Sequence, residues 1–434
     1  MAAAAGAWQN WARNQTAHPV EVHQPTSEHD LATIVEQAAG DGRRVKVAGS
    51  GHSFTDIACT DGHLVELGRY NRVLAIDPDA RTATVQAGIR LEDLNLELDR
   101  RGLAMPNLGD IAYQTVAGAT STSTHGTGVR LTGLAGQIAG LRLVLADGSA
   151  IDCSADTESE LFRCARVGLG ALGIVSTVTL RVVPAFNLAV VEEPMRVDAL
   201  LDDLDAHVDG NDHFEFFWVP HTGWALTKTN NRTTDPLSPR SRFSEWRNDM
   251  FMQNYAFGAL CRVGRLRPRW IPKLAKALPA SGRVTYVDQS YRVFASPRLV
   301  RFYEMEYAIP REACAEALNR VRRFVEDSGL LLNFPVEVRF TAPDDIPLST
   351  ASGRESCYIA IHVYQGMEHR PYFEGVERIM DDYGGRPHWG KLHFQTAATL
   401  STRYDQWEQF LAVRDRVDPQ RRFANDYLAR VLGP

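Results

Sequence analysis

The sequence is poor in cysteine, and the cysteines that it has form no pattern. The six are Cys59, Cys153, Cys164, Cys261, Cys314 and Cys357. Without a Cys-x-x-Cys pair or a His/Cys cluster at metal-ligand spacing, neither a disulfide framework nor a zinc site is expected. This usage predicts reduced thiols, a cytoplasmic location and no bound metal ion.

Long apolar runs and a strong charge of either sign are also missing. No segment reaches the roughly 18 consecutive apolar residues that a membrane-spanning helix needs. Residues 1–6 are small and apolar, but no positive charge precedes them, so a signal peptide is not expected. A formal net charge of −6 gives no electrostatic reason to expect a nucleic-acid partner. What remains is a globular chain of 434 residues, a length that favours two domains.

The most informative stretch follows a short β-type run that includes Val45 and Val47. It reads Gly49-Ser50-Gly51-His52-Ser53-Phe54. Two glycines around a serine let several backbone N–H groups face one point, which is the geometry of an anion-binding nest. A diphosphate is the natural occupant, and His52 would lie beside whatever the diphosphate carries. A tight turn with a surface histidine explains the same residues equally well.

A second stretch is rich in small and hydroxyl-bearing residues. Almost every residue from 118 to 128 is Gly, Ala, Ser, Thr or His, and Gly109 lies shortly before them. We expect a loop that packs no core of its own and offers hydroxyls and backbone to a polar ligand. A solvated Ser/Thr-rich loop is the alternative. We expect His125 to be hydrogen-bonded scaffold.

Residues 168–173 formally read G-x-G-x-x-G. A dinucleotide-binding fingerprint of this kind follows a strand and opens a helix. Here a predicted helix precedes the glycines and a strand follows them, beginning near Ile174. The order is inverted, and NAD binding is therefore not expected.

Candidate catalytic residues lie on strands in the second half of the chain. With the two-residue period of a strand, Glu337 and Arg339 share one face while the apolar residues at 336, 338 and 340 share the other. Buried charges must pair or meet a polar ligand, so an edge ion pair and a binding site are both open. The next strand carries His362, and His388 and Lys391 form a polar cluster farther on.

Four motifs together resemble those of the sugar-1,4-lactone oxidases and dehydrogenases, within the vanillyl-alcohol-oxidase superfamily of FAD enzymes. They are Gly49-Ser50-Gly51-His52-Ser53, Thr124-His125-Gly126-Thr127-Gly128, Glu337-Val338-Arg339 and His388-Trp389-Gly390-Lys391. The resemblance implies an α+β protein with a PCMH-type FAD-binding domain over residues 1–185. A substrate (cap) domain of the α+β type would follow over residues 186–434, with the tail from about 385 returning to the flavin site.

The resemblance also implies the cofactor and its ligands. FAD would be bound, with His52 bonded to the 8α-methyl group of its ring. The implied cofactor-binding residues are Gly49, Ser50, Gly51, His52, Ser53, Phe54, Gly109, Gly118, Ser121, Thr124, His125, Gly126, Gly173, Ile174, Val175, His388 and Lys391. In this family the loop at residues 168–173 runs past the flavin.

The implied activity is oxidation of a sugar 1,4-lactone, such as L-gulono-1,4-lactone, by hydride transfer to flavin N5. Reduced flavin is anionic, so a fixed cation favours the reaction, and Lys391 and Arg339 are the candidates. Glu337 would orient Arg339 and accept from sugar hydroxyls. His362 is the candidate proton acceptor, because the ordinary pKa of histidine lies near neutral pH.

Several alternatives remain open at this level. Glycine at position 109 resembles the oxygen-using members, whereas alanine occurs in the dehydrogenase branch, so O₂ and another redox carrier are both possible acceptors. An alditol oxidase is the near alternative, and a flavoprotein that retains FAD without turnover is the distant one. The basic, irregular stretch from 228 to 283 is either a solvated helical excursion or a contact surface for an acidic redox partner or an anionic membrane.

Overall fold

The computed structural model describes residues 3–4, 6–277 and 282–434. Within them, the strands are β1 Ala3–Ala4, β2 Trp8–Gln9, β3 Thr16–Ala17, β4 Glu21–His23, β5 Val45–Ala48, β6 His63–Glu66, β7 Val73–Asp77, β8 Thr82–Gln86, β9 Leu103–Ala104, β10 Ile138–Val144, β11 Ala150–Ser154, β12 Ile174–Arg181, β13 Val183–Pro184, β14 Asn187–Arg196, β15 His213–Trp218, β16 Trp224–Thr233, β17 Val284–Gln289, β18 Phe302–Pro310, β19 Val336–Thr341, β20 Ser356–Tyr364 and β21 Arg386–Pro387.

The α-helices of the same residues are α1 Glu28–Gly40, α2 Leu91–Asp99, α3 Val116–Ser121, α4 Ser159–Ala165, α5 Val197–Asp202, α6 Leu204–Asp209, α7 Arg242–Glu245, α8 Phe257–Leu266, α9 Ile271–Ala277, α10 Ser290–Phe294, α11 Cys314–Ser328, α12 Arg370–Asp381, α13 Ala397–Leu400, α14 Trp407–Val417 and α15 Asp426–Leu432. A π-helical stretch, Trp246–Ala256, joins α7 to α8. Short 3-10 helices span Leu67–Arg69, Leu134–Gln137, Pro268–Trp270 and Arg311–Ala313.

The first half of the chain contains a four-stranded sheet, in the order β1-β4-β6-β5, and a five-stranded sheet, in the order β11-β10-β12-β8-β7. Helix α1 begins after Ser27, whose hydroxyl accepts the N–H of Asp30 in a capping box. Its apolar stripe, Leu31, Ile34, Val35 and Ala38, is buried. The G-x-G-x-x-G stretch lies between α4 and β12, so its inverted order is confirmed.

The second half is built on an eight-stranded sheet in the order β17-β14-β16-β15-β19-β20-β18-β21. One face of this sheet is apolar. Val336, Val338 and Phe340 of β19 are buried there in the same core as residues of α11 and α12. Phe214 and Phe216 of β15 belong to that core. Period-2 alternation therefore leaves the charged side chains of β15, β18 and β19 on the opposite face.

Two expectations about local structure are wrong. The stretch 118–128 is not a loop throughout, because its first residues belong to α3, where Ala119 is wholly buried. Thr115 caps this helix by accepting the N–H of Gly118 at 3.2 Å, and small side chains let the helix pack closely. Residues 228–233 are not irregular either, because β16 pairs with β14 along its whole length.

Within the basic stretch, residues 242–277 form a helical excursion that comprises α7 to α9, and residues 278–281 lie outside the described residues. The surface of the excursion exposes large apolar side chains, among them Phe243 at 69% and Leu266 at 74%. The hypothesis of a contact surface here stays a prediction. Among the helices of residues 3–4, 6–277 and 282–434, none combines the length and the hydropathy required to cross a membrane.

The C-terminal tail packs on the first half of the chain. Phe410 of α14 and Tyr427 of α15 lie in the same core as Leu31 of α1 and Val45 of β5. The chain leaves the five-stranded sheet at Arg181 and enters the eight-stranded sheet at Asn187. The domain boundary at residues 185 and 186 remains a prediction.

Candidate active site

A cavity of about 1350 Å³ lies between the second informative stretch, the polar face of the eight-stranded sheet and the helical excursion. Eight of the residues singled out in the sequence line it. They are Gly109, Thr124, His125, Glu337, Arg339, His362, His388 and Lys391. All four candidate catalytic side chains thus face one space.

Strand register explains why these residues meet. Strands β19 and β20 are antiparallel neighbours, and β18 lies on the other side of β20 with Glu304 directly opposite His362. The second stretch is tied to the same sheet, because the N–H of Gly128 donates to the carbonyl oxygen of Phe340 at 2.7 Å. Residues more than 200 positions apart in sequence are therefore held by backbone hydrogen bonds.

Arg339 is the centre of an ion-pair network. Its Nε donates to Glu215 Oε2 at 2.8 Å, and its Nη2 pairs with Glu337. Asp110 Oδ2 lies 3.7 Å from Nη2. Burial alone would lower the pKa of Arg339, but Glu337, Asp110 and Glu215 outweigh it and raise the pKa well above its usual value. The guanidinium is thus a fixed cation with a fixed orientation.

Glu337 responds differently to the same surroundings. Burial raises its pKa to about 8, against the opposing effect of Arg339, and the negative charges of Asp110 and Glu215 add to the rise. Its paired guanidinium is already shared with Glu215. Glu337 is therefore able to donate as well as accept a hydrogen bond near neutral pH.

Lys391 and His362 both meet Glu304. Lys391 Nζ is paired with this carboxylate and lies 5.2 Å from the centre of the Phe54 ring. His362 Nε2 lies 3.5 Å from Glu304 Oε1, and Nδ1 lies 3.0 Å from the carbonyl oxygen of Pro335. Burial would lower the pKa of His362, but Glu304 more than offsets it, so this pKa is raised.

Two further histidines of the cavity, His125 and His388, have scaffold-like contacts. His125 stacks on Tyr358 with a ring-centroid distance of 3.5 Å, and its Nε2 lies 3.2 Å from Glu306 Oε1. His388 Nδ1 accepts the N–H of Gly390 at 3.0 Å. Burial lowers the pKa of His388 to about 3, so it is neutral at physiological pH.

Charged residues that the sequence argument missed complete the network. They are Asp110, Glu215, Arg298, Glu304 and Glu306. The sequence pattern could have identified three of them. Glu215, Glu304 and Glu306 alternate with buried apolar residues in strands, as Glu337 does. For Asp110 and Arg298, which are joined by a 2.8 Å hydrogen bond, no local pattern distinguishes them from surface residues.

The first informative stretch borders the cavity without lining it. The N–H of Phe54 donates to the carbonyl oxygen of Gly390 at 2.7 Å, and Ser50 Oγ donates to the carbonyl oxygen of Tyr113 at 2.5 Å. A Cβ on Gly49 would collide with Thr115 Oγ1 and lie 3.6 Å from the Cα of Gly118. Glycine at position 49 is therefore required for the two informative stretches to touch.

The backbone of this stretch fits an anionic ligand. The N–H groups of residues 49–53 donate to no atom in the described part of the chain, and every one of these residues is at least partly exposed. Gly51 has a positive φ of 69°, which bends the row of amides. Unpaired amide donors on a glycine-bent turn form a cradle for a phosphate group.

His52 differs from the neighbouring residues in its electrostatics. Its ring stacks on Trp11 at a centroid distance of 5.4 Å, and neither ring nitrogen is hydrogen-bonded to any residue that the structure describes. Burial, with the charges of Lys391 and Arg90, lowers its pKa to about 4. His52 is therefore a neutral imidazole with an available lone pair at physiological pH.

The remaining predicted cofactor residues lie outside the cavity lining. Gly118 is in α3, and the carbonyl oxygen of Ser121 accepts the N–H of Leu169 at 3.2 Å. A Cβ on Gly126 would collide with the carbonyl oxygen of Leu108, and one on Gly173 would lie 2.8 Å from that of Val144. The packing of the chain by itself explains these two glycines. Ile174 and Val175 open β12, where Ile174 is buried.

Comparisons with known proteins identify the family of this chain. Residues 178–431 match the family described as D-arabinono-1,4-lactone oxidase, and residues 19–154 match an FAD binding domain. L-gulono-1,4-lactone dehydrogenase from Mycobacterium tuberculosis is 49% identical over 98% of this chain and 99% of its own length. L-gulonolactone oxidase from Bos taurus is 36% identical over 98% of both chains.

The fold is also found among solved structures. Cholesterol oxidase from B. sterolicum matches with a TM-score of 0.82 over 100% of this chain and 97% of its own, at 17% identity. At that identity the likeness concerns the fold alone. The family match, which spans more than half of the chain, and the full-length relatives carry the assignment. The chain belongs to the D-arabinono-1,4-lactone oxidase family.

Proposed function

We propose that this protein is an FAD-dependent oxidoreductase that oxidises an aldono-1,4-lactone of the L-gulono-1,4-lactone type to an ascorbate-type product. One observation carries the proposal: the Arg339 network and the Lys391–Glu304–His362 cluster face the same cavity. Fixed cations and carboxylates on one polar face suit a substrate with several hydroxyls and a carbonyl. Relatives named for gulonolactone, at full length, support the same substrate class.

The residues of the first stretch fit FAD. The free amides of residues 49–53 would hold the diphosphate, and α3 would pack beside it through Gly118. Bound FAD supplies the acceptor for the hydride. The cavity next to this stretch would then hold the lactone, with Phe54 and Lys391 at the border between the two sites.

The side chains of the cavity suggest a division of roles. Arg339 would bind substrate oxygens with its planar fork, held by Glu215 and Glu337. His362 Nδ1 faces a carbonyl oxygen, which can only accept, so the neutral ring carries its proton there and leaves Nε2 free. Nε2 would take the hydroxyl proton, and the adjacent Glu304 would stabilise the imidazolium that forms.

His52 is the proposed covalent attachment point, and its replacement by alanine should release the flavin. The neutral ring has the lone pair that bond formation requires, because its pKa is lowered to about 4. We expect acid-precipitated wild-type protein to remain yellow and acid-precipitated His52→Ala to lose its flavin to the supernatant. His29→Ala, at an exposed position of α1, is the control. Retention of flavin by the His52 variant would refute the linkage.

The pH dependence tests the role of His362. A proton acceptor must be neutral, and the pKa of His362 is raised, so flavin reduction by the lactone should increase with pH through a value above about 6.5. The rate should be lost as the pH falls below that value. Stopped-flow measurement under anaerobic conditions gives the rate of flavin reduction at each pH. In His362→Gln this rate should no longer rise with pH over the same range. If the rate of the variant still rises with pH, the pH dependence belongs to another group, such as Glu337.

Gly109 is the proposed determinant of oxygen use. A Cβ there would lie 3.1 Å from the carbonyl oxygen of His125 and 3.5 Å from Thr124 Cγ2, so alanine fits after a small shift. We expect Gly109→Ala to slow reoxidation by O₂ at least about tenfold, which corresponds to about 1.4 kcal/mol of barrier. Anaerobic reduction by the lactone should change little. Equal reoxidation rates in both proteins would exclude Gly109 as a determinant of oxygen use.

The activity itself is tested by recording the visible spectrum anaerobically while L-gulono-1,4-lactone and then xylitol are added. Bleaching by the lactone, followed by recovery in air, is the expected result. Bleaching by xylitol alone would favour the alditol-oxidase alternative. A yellow protein that no sugar bleaches would favour a flavoprotein without turnover.

A further inference from the structure

A compact group of three potential metal ligands lies in the four-stranded sheet, away from the cavity lining. Glu21 and His23 share one face of β4, and His63 is the first residue of the parallel neighbour β6, directly opposite Glu21. His23 Nε2 lies 2.9 Å from His63 Nδ1. Glu21 Oε2 lies 3.6 Å from His23 Nε2 and 3.7 Å from His63 Nδ1.

These three distances match the spacing of ligands around one small cation. Zinc binds nitrogen and carboxylate oxygen at about 2.0–2.2 Å, so neighbouring ligands of a tetrahedral site lie about 3.3–3.5 Å apart. The triangle formed by Glu21 Oε2, His23 Nε2 and His63 Nδ1 has edges of 2.9 to 3.7 Å. A cation at its centre requires shifts of a few tenths of an ångström.

A second layer of contacts supports the three side chains. Gln37 Nε2 donates to Glu21 Oε2 at 3.0 Å, and Asp41 Oδ2 lies 3.3 Å from the distal nitrogen of His63, Nε2. Both residues come from the C-terminal end of α1. A carboxylate at this distance from His63 Nε2 favours the tautomer that carries its proton on Nε2, which leaves Nδ1 free to bind a metal.

Burial is graded across the site. The side chain of His63 is 1% exposed, that of His23 11% and that of Glu21 24%. One edge of the triangle is therefore open to solvent, where a water molecule would complete four-coordination. His63 therefore lies on the core side of the site, and Glu21 lies on the side that solvent reaches.

We propose that Glu21, His23 and His63 bind one divalent transition-metal ion of the Zn²⁺ class. The two-histidine, one-carboxylate donor set is typical of zinc and its neighbours. The ion would join β4 to β6 and so stabilise the sheet that leads into the first informative stretch. This proposal departs from the sequence-based expectation of no metal, because the ligands come from two strands that only the fold brings together.

The test is titration of the EDTA-treated, flavin-loaded protein with ZnCl₂ in a calorimeter, with Co²⁺ as a spectroscopic probe. The d–d bands of bound Co²⁺ lie at longer wavelength than flavin absorption. We expect one equivalent of Zn²⁺ to bind and to raise Tm by a few degrees. Gln37→Ala, which removes only a supporting contact, should bind about 10- to 100-fold more weakly.

His23→Gln and Glu21→Gln should lose more affinity than the Gln37 variant, and neither position is fully buried, so both variants should fold. His29→Gln, at an exposed histidine of α1, should bind Zn²⁺ like the wild type. The site is supported if His23→Gln and Glu21→Gln lose one-to-one binding of Zn²⁺ while His29→Gln keeps it. Absence of binding in the wild type, or binding that survives both substitutions, would overturn it and leave a histidine–histidine hydrogen bond in its place.

Discussion

Replacing Arg339 by lysine is expected to slow anaerobic flavin reduction by the lactone about 10²- to 10³-fold while the protein stays folded. Lysine keeps the positive charge but has no planar fork, so it cannot hold Glu215 and Glu337 at once and present a fixed face to the substrate. Stopped-flow absorbance measures the rate. The loss should fall on kcat as well as on KM, because orientation and charge both matter in the transition state.

Two further variants separate chemistry from folding. Arg339→Met removes the guanidinium that pairs with the buried Glu215 carboxylate and with Glu337, and leaves Lys228, 3.7 Å away, as the cation beside Glu215. The variant should cost about 3–5 kcal/mol of the free energy of unfolding. Arg269→Lys, at an exposed arginine of the helical excursion, should match the wild type in both measurements. An Arg339→Lys variant with wild-type kinetics would exclude Arg339 from substrate binding.

Replacing Lys391 by methionine should also lower the rate of flavin reduction about 10²- to 10³-fold. Hydride transfer moves negative charge from the substrate to the flavin, and Lys391 is the half-buried ammonium group beside Phe54 at the border of the cavity. Its pKa is raised because Glu304 and Glu306 outweigh the effect of burial. It is therefore charged throughout the working pH range, and its removal changes the electrostatics at every pH.

The folding consequence of the Lys391 variant is controlled by a double substitution. Lys391→Met alone leaves Glu304 buried with only His362 as a cationic partner, whereas Lys391→Met with Glu304→Gln removes both charges. The double variant should recover thermal stability without recovering the rate. Lys273→Met, at an exposed position of α9, is the neutral control. Recovery of the rate in the double variant would show that Lys391 acts only by neutralising Glu304.

Patterns confined to one element were readable before the structure. The shared face of Glu337 and Arg339 and the strand after residues 168–173 depend on neighbours within a few residues, where the strand period applies. The α3 helix was missed because glycine, serine and threonine have weak helix propensity, and tertiary packing around Ala119 overrides it.

The sequence did not predict which charged residues pair with one another. The motifs identified Arg339, but its partners Glu215 and Asp110 lie 124 and 229 positions earlier in the chain. Likewise, Lys391 was recognised, whereas Glu304, which sets its pKa together with that of His362, was not. Alternation marks a charged strand residue as inward-facing, but it does not say which other inward-facing charge lies opposite.

The sequence by itself determined the class of protein, through four motifs that resemble those of a known family. It also determined the glycine-bent turn at residues 49–51 and the faces of the strands, because these two features follow from local backbone sterics and side-chain period. Only the tertiary structure decided that Asp110, Glu215, Glu304, Glu306 and Glu337 gather around Arg339 and Lys391, and that Glu21, His23 and His63 converge in another sheet. The reason is strand register: which residues lie opposite one another depends on hydrogen bonds between distant segments, and no local rule contains that information.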